Sequence, residues 1–388
     1  MNKNQEILSH LQKKIEKHFG KSVSTATDCE ELSNIIKKNL NENISAQTLR
    51  RFFALVKSNS GLGKYNLNLL CKFCGFADLE SFTNAYSEEE LKDFFVLEEC
   101  QTKNYWERSE QICMQISESA EFMVSTHNRL LKFPLARKYF MEHHPMRDLL
   151  GTVYTQYFSV YLKFNRTNEA KIFAYGFLFH SAFLQQNEEL IELYFQKIYD
   201  TQLDDDIHVI PAGLKYGILL LYADFTRNEP LFKSTFSEMK KTRLQYIKAS
   251  QSSVCSFEYT VLESLIFTNR IDEMKYLIEN NTLQKSKDLD FVPTNRKKTH
   301  DEAWNILCAT AYCKMNDKQK TSYHLNKVNV ENLGIGWKKY YSILYYFALL
   351  QNSEIKNNEE MISRLKKMID ETYFTYFEDK LQDFQFGK

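Results

Sequence analysis

Between positions 45 and 64 the chain gathers Ser45, Gln47, Thr48, Arg50, Arg51, Lys57 and Lys64, side chains suited to recognition and not to bond making. Arginine forks match guanine edges or phosphate oxygens, glutamine amides match adenine edges, and lysine meets phosphate as a point charge. Groups that make or break bonds do not assemble elsewhere. Cys71 and Cys74 have CxxC spacing but no second pair and no suitably spaced His pair, so they read as thiols on the apolar face of a helix that Gly75 ends. His143-His144 stands beside Pro145 without a third ligand and reads as a surface corner. His300-Asp301-Glu302 follows the basic segment TNRKKT and reads as a first helical turn whose acids answer the helix dipole. Asp204-Asp205-Asp206 lacks the Gly and the later Glu of a calcium loop and reads as an acidic loop. Gly61-Leu-Gly-Lys64 lacks the first glycine and the hydroxyl of a phosphate loop, has no strand before it, and reads as a connector. With no Gly-x-Ser-x-Gly, His-Glu-x-x-His or dinucleotide fingerprint, the expectation is a protein that is not an enzyme and holds no metal or cofactor.

The elements that must position the basic cluster follow from periodicity. Ile7, Leu8, Leu11, Ile15 and Phe19 recur at helical spacing, which predicts an amphipathic helix over 4–19 that ends near Gly20. Asp28-Cys-Glu-Glu31 reads as an N-cap with an acid at the third helical position, ahead of Leu32, Ile35, Ile36 and Leu40. After NENI, Ser45 caps a third helix in which Leu49, Phe52, Phe53 and Val56 make one apolar stripe. Gln47, Arg51, Ala54 and Ser58 then point away from that stripe, with Arg50 and Lys57 on its flank. In a fourth helix, Leu67, Leu70, Cys71 and Cys74 again share a face.

A capped helix, then Ile-Ser-x-x-Thr-Leu-x-Arg, then Leu-x-x-Leu-x-x-x-Cys-Gly-Phe resembles bacterial helix-turn-helix domains of the repressor-like kind. It also resembles an uncharacterised bacterial family in which such a module precedes helical repeats. The likeness covers about the first 80 residues. It implies that Ser45, Gln47, Thr48, Arg50 and Arg51 occupy a recognition helix, with Lys57 and Lys64 near the DNA backbone. The connection KKNLNENI is longer than the tight turn of the usual motif, and KSNSGLGK separates the third and fourth helices widely.

Composition sets the frame around this module. The 388 residues carry 50 basic and 50 acidic side chains and only 5 Pro and 11 Gly, which predicts an all-α chain. Residues 1–80 hold ten Lys and two Arg against eight acids, a net +4, so the remainder is −4. That asymmetry fits attraction of the amino-terminal part to a polyanion. The opening MNKNQEILSHLQKK has no apolar core of a signal segment, and YGILLLYADF and YYSILYYFALL are about half the ~20 residues a membrane helix requires. A cytoplasmic protein with reduced thiols is expected, since the eight cysteines have no framework spacing.

Beyond the module, Phe94, Phe95, Leu97, Ile112, Ile116 and Met123 predict helical stretches, with turns at Pro134 and Pro145. Asn187, Asn228, Asn269, Asn316 and Asn352 then recur at intervals of 36–47 residues, each between an apolar helix end and a new amphipathic start. Asn tolerates the left-handed conformation that closes a helix, so these positions predict hairpin turns. Irregular repeats of this size resemble tetratricopeptide-like solenoids, which leave a concave surface for a peptide, another protein or a second subunit. The expected organisation is a helix-turn-helix-like domain at 1–88, a helical connector at 89–146 and helical repeats at 147–388. The expected function is a DNA-binding transcriptional regulator, possible as a homodimer, whose repeats sense a peptide or protein; the logic resembles peptide-sensing regulators that join a repressor-like domain to such repeats. The alternative is a protein-binding scaffold without DNA binding, and a weaker one is RNA binding by the same surface.

Overall fold

The computed structural model describes residues 3–56, 62–83, 85, 110, 113, 114, 119, 123, 124, 130–133, 137–142, 144–251, 253–282, 293–352 and 359–386. Lys57, Ser58, Phe94, Phe95, Leu97, Cys100, Ile112, Ile116, Pro134 and His143 lie outside them. Every regular element among the described residues is helical, and the chain divides into two compact units, 1–98 and 99–388.

In the first unit, α1 (Lys3–Phe19), α2 (Ala26–Leu40), α3 (Ala46–Phe52) and α4 (Lys64–Phe73) close on one core built from Leu11, Ile15, Leu32, Ile36, Leu49, Phe52 and Leu70, with Cys29 and Cys71 among them. The start of α2 differs from expectation. Thr25, not Asp28, is the N-cap: its hydroxyl accepts from Asp28 N at 3.1 Å while the Asp28 carboxylate accepts from Thr25 N at 2.8 Å. Asp28 is thus the reciprocal acid of a capping box, and the helix begins earlier. The third helix is also shorter than the stripe implied. It stops at Phe52, Ala54 turns left-handed (φ 57°), and Leu55 N donates to Arg50 O at 2.8 Å, so Val56 lies beyond the helix. That 6→1 bond and left-handed residue form a Schellman stop, with alanine where glycine is usual.

The second unit is a row of antiparallel hairpins. A π-helical turn at Arg137–Glu142 and a 3₁₀ turn at Arg147–Leu149 precede α5 (Thr155–Phe164), α6 (Asn168–Leu184), α7 (Glu188–Tyr199), α8 (Val209–Phe225), α9 (Glu229–Gln251), α10 (Phe257–Leu265) and α11 (Ile271–Glu279). Then follow α12 (Thr294–Lys314), α13 (Lys318–Leu325), α14 (Lys338–Asn352), α15 (Glu359–Thr372) and α16 (Thr375–Phe386). α6, α8 and α10 are the inner members of the row. α6 and α8 are buried nearly all round, as a helix covered on every side must be. Gly213 and Gly217 let α8 approach α10 closely: a Cβ would stand 2.8 Å from Phe257 O at the first and 2.7 Å from Ser264 Oγ at the second.

The hairpin turns use two residues with separate tasks. Gln186, Arg227 and Asn316 are left-handed (φ 55°, 56° and 56°) and stop the outgoing helix. The next residues, Asn187, Asn228 and Asp317, accept from Leu190 N, Leu231 N and Lys320 N at 3.0–3.1 Å and start the returning one. The asparagines at 187 and 228 therefore open helices instead of closing them; Asn316 alone of the three takes the closing conformation.

The row also returns on itself. α16 packs against α6, Phe183 meets Tyr376 at 5.2 Å, and Gln186 Nε2 donates to Asp379 Oδ2 at 2.8 Å. At the same closure Asp148 accepts from Lys339 N (3.1 Å) and Tyr340 N (2.8 Å), capping α14 from 191 residues away, while Trp337 Nε1 donates to Pro145 O at 2.9 Å. The concave space expected of an open stack is in this unit a cavity walled by the hairpins.

Candidate functional site: a recognition face and an enclosed cavity

In the first unit α3 is held at both ends by its neighbours. Ser33 Oγ on α2 donates to Ile44 O at 2.6 Å, fixing the turn before the helix, and Gln12 Nε2 on α1 donates to Phe52 O at 2.5 Å, fixing its last residue. Ser45 caps the start, accepting from Thr48 N at 3.1 Å. Leu49 and Phe52 are buried, Ser45, Gln47 and Arg51 are exposed, and Thr48 is half-buried. Arg50 is engaged: its Nη2 lies 2.7 Å from Glu30 Oε1 on α2. Lys64 is exposed at the first position of α4. Lys21 pairs with Asp28 and Glu31, and Lys72 with Glu42, so several cations of this unit are matched internally. Cys71 and Cys74 face the core, and burial pushes their thiols up to about 12 and about 11, leaving both protonated at neutral pH.

The second unit holds a cavity of about 320 Å³. Arg147, Glu263, Arg296, His300 and Trp337 form one end of its wall, Glu142, Tyr161, Glu169 and His208 the other, and Phe173, Phe177 and Tyr259 lie among the lining side chains. The first end is deep. Arg147 and Glu263, 6% and 4% exposed, form a bidentate pair with Nε–Oε1 at 2.5 Å and Nη2–Oε2 at 2.9 Å. Tyr341 OH also donates to Glu263 Oε1 at 2.7 Å. The guanidinium lies 4.2 Å from the Trp337 ring centre and 5.3 Å from that of Phe177. Burial opposes the Glu263 charge, but Arg147 outweighs it and holds the carboxyl below its ordinary value. His300 packs edge-on to Trp337 at 4.8 Å, and burial, reinforced by Arg147 and Arg296, pushes its pKa down to about 3, so it is neutral. Two buried nitrogens in this wall have no hydrogen-bond partner, Arg147 Nη1 and His300 Nδ1. Such groups cost free energy when buried alone, which makes them conspicuous.

The second end is open to solvent: His208 is exposed, and Glu142 and Glu169 are half-buried. Glu142 accepts from Tyr161 OH at 2.6 Å and Glu169 from His208 N at 2.8 Å.

Sequence reasoning missed this site, and two expectations are corrected by it. His144 is not a surface corner: it is 1% exposed, sits 2.6 Å from Ile335 O through Nε2 and contacts Arg296. TNRKKT is not a loop before a helix; it is the start of α12, so that Arg296 and His300, one turn apart, share the face that lines the cavity. Glu302 there receives Asn329 N at 2.9 Å and Asn332 Nδ2 at 2.6 Å, a tertiary tie instead of a first-turn dipole partner. The i, i+4 spacing of Arg296 and His300 was the one available signal. Comparison with known proteins finds no matching family model, no matching curated protein and no matching solved structure.

Proposed function

We propose that the protein is a DNA-binding transcriptional regulator, with α3 of the first unit as the element offered to duplex DNA and the helical hairpins as its sensing or dimerising body. The observation that carries this reading is the disposition of α3: a capped helix after α2 whose inner face is fixed by Leu49 and Phe52 and whose outer face presents Gln47 and Arg51. Such a helix suits the major groove, where Gln and Arg read base edges. Ser45, Thr48 and Lys64 suit sugar–phosphate contacts, and Arg50, bound to Glu30, orients α2 and α3. With seven residues α3 makes few base contacts, so specific binding calls for two copies on paired half-sites one helical turn, ~34–36 Å, apart.

The test is capture of sheared genomic DNA by the purified protein at two salt concentrations, beside Gln47→Ala/Arg51→Ala. Both side chains are exposed, so the variant keeps the fold. Enrichment of a few loci that the variant loses supports the reading, and Arg51→Ala lowers the salt slope by about 1 where it meets a phosphate. Capture indifferent to sequence and to the substitutions sinks it. A scaffold without DNA binding is favoured by one observation, the internal pairing of Lys21, Arg50 and Lys72, and would then be the better reading.

A further inference from the structure

The cavity of the second unit is bipolar. Its buried end offers two unpartnered nitrogens, Arg147 Nη1 and His300 Nδ1, on side chains 6% and 9% exposed. Its solvent end carries Glu142 and Glu169, neither of which forms an ion pair among the described residues. The lining between includes Phe173, Phe177 and Tyr259.

A buried donor without an acceptor loses its hydration and gains nothing, unless a ligand supplies the acceptor. Arg147 spends Nε and Nη2 on Glu263, so its remaining nitrogen points to a second acceptor. With Glu263 already beside the guanidinium, a dianion at this end would be repelled, whereas a carboxylate adds one charge and two planar oxygens. The acids at the other end select a cation there, and the aromatic lining selects an apolar body. About 320 Å³ is at the lower limit of small-molecule sites, so the occupant is small.

We propose that this cavity binds a short peptide ending in an apolar residue. Its C-terminal carboxylate accepts hydrogen bonds from Arg147 Nη1 and from the neutral, Nδ1-protonated His300, and its ammonium end lies toward Glu142 and Glu169. The binding is independent of DNA reading by α3: it is measured without DNA, so either proposal fails without the other. If α3 does read DNA, the peptide is the signal the hairpins sense.

The experiment is calorimetric titration of the full chain with alanyl-phenylalanine, its C-terminal amide and its N-acetyl form. The free dipeptide is expected to bind saturably, and the amide about ten- to a hundredfold more weakly, because it removes the charged acceptor. N-acetylation is expected to weaken binding by a smaller factor, since it acts at the solvated end. A ten-residue peptide with the same C-terminus distinguishes sources: equal affinity identifies the tail of a longer peptide, and exclusion identifies a free dipeptide. His300→Leu removes a buried nitrogen that has no partner, so it is expected to hold or raise the melting temperature while weakening the dipeptide about tenfold or more. Equal binding of acid and amide overturns the proposal, as does no binding of the dipeptide at a concentration on the order of 10 mM, or His300→Leu that melts lower yet binds unchanged. The acid and amide are compared on the unaltered chain, so that result does not depend on a variant folding.

Discussion

Replacing Glu263 by Gln keeps the side-chain shape and removes one charge from the buried end of the cavity. In the native unit the carboxylate, 4% exposed, accepts from Arg147 twice and from Tyr341 once. A Gln in its place retains one oxygen and turns an NH₂ toward donors that have nothing to give it. Arg147 then stays buried and charged, with aromatic faces at 4.2 and 5.3 Å but no printed acid within bonding reach. Breaking one side of a buried pair costs ~3–5 kcal/mol, because the remaining charge is desolvated without compensation. Against a total of ~5–15 kcal/mol, the variant should fold with a large loss of margin. All three tryptophans, 106, 304 and 337, belong to the second unit, so urea unfolding followed by their fluorescence reports on it alone. The companion is Arg147→Met/Glu263→Leu, which removes both charges and should recover all but ~2 kcal/mol of the loss, since apolar replacement of a whole buried pair is often neutral. A Glu263→Gln cost below ~1 kcal/mol would refute the reasoning, by showing that Arg147 is solvated or balanced by another group.

Three further outcomes follow from the same geometry. Ala54→Gly relieves a left-handed alanine at the end of α3 and should stabilise the first unit by ~0.5–1 kcal/mol, read by circular dichroism of the melting transition; a loss of stability would contradict the Schellman stop. Gly217→Ala puts a methyl 2.7 Å from Ser264 Oγ and should cost ~1–3 kcal/mol in urea by prising α8 from α10; an unchanged midpoint would show that the helices are free to part. Acidification should destabilise the second unit well before ordinary carboxylates titrate. Burial depresses His180 to about 4 and His300 to about 3, so below pH 6.5 the unfolded chain takes up two protons that the fold refuses, a loss approaching ~2.7 kcal/mol per pH unit. Asp148, raised by burial to about 6, keeps a proton that the unfolded chain releases between its ordinary value and pH 6, and offsets about half of that. Urea midpoints at pH 7, 6 and 5 should therefore fall by a net ~1.4 kcal/mol per unit toward pH 5, and a pH-independent midpoint would show that both histidines titrate normally.

The sequence by itself determined the helical class, α1 to within a residue of its start, the apolar faces of α2 and α4 and the cap at Ser45. These are decided within one or two turns of chain, by a 3.6-residue period and by side chains that bond their own backbone. It also marked the hairpin turns through Asn187, Asn228 and Asn316, although only the backbone showed that the residue before the first two does the closing. Local rules misplaced events that depend on competition: Thr25 outbid Asp28 because the pair caps reciprocally, and α3 stopped at Phe52 where a longer stripe was available. The cavity was decided only by tertiary structure. Arg147, Glu263 and His300 are separated by up to 153 positions in the sequence and have no motif in common. They meet because Asp148 and Trp337 tie the start of the unit to α14, and because glycines let α8 and α10 pack closely enough to bury what lies beside them. Burial is what makes an ordinary arginine and histidine into unpartnered donors, and burial is a property of the closed row and not of any segment in it.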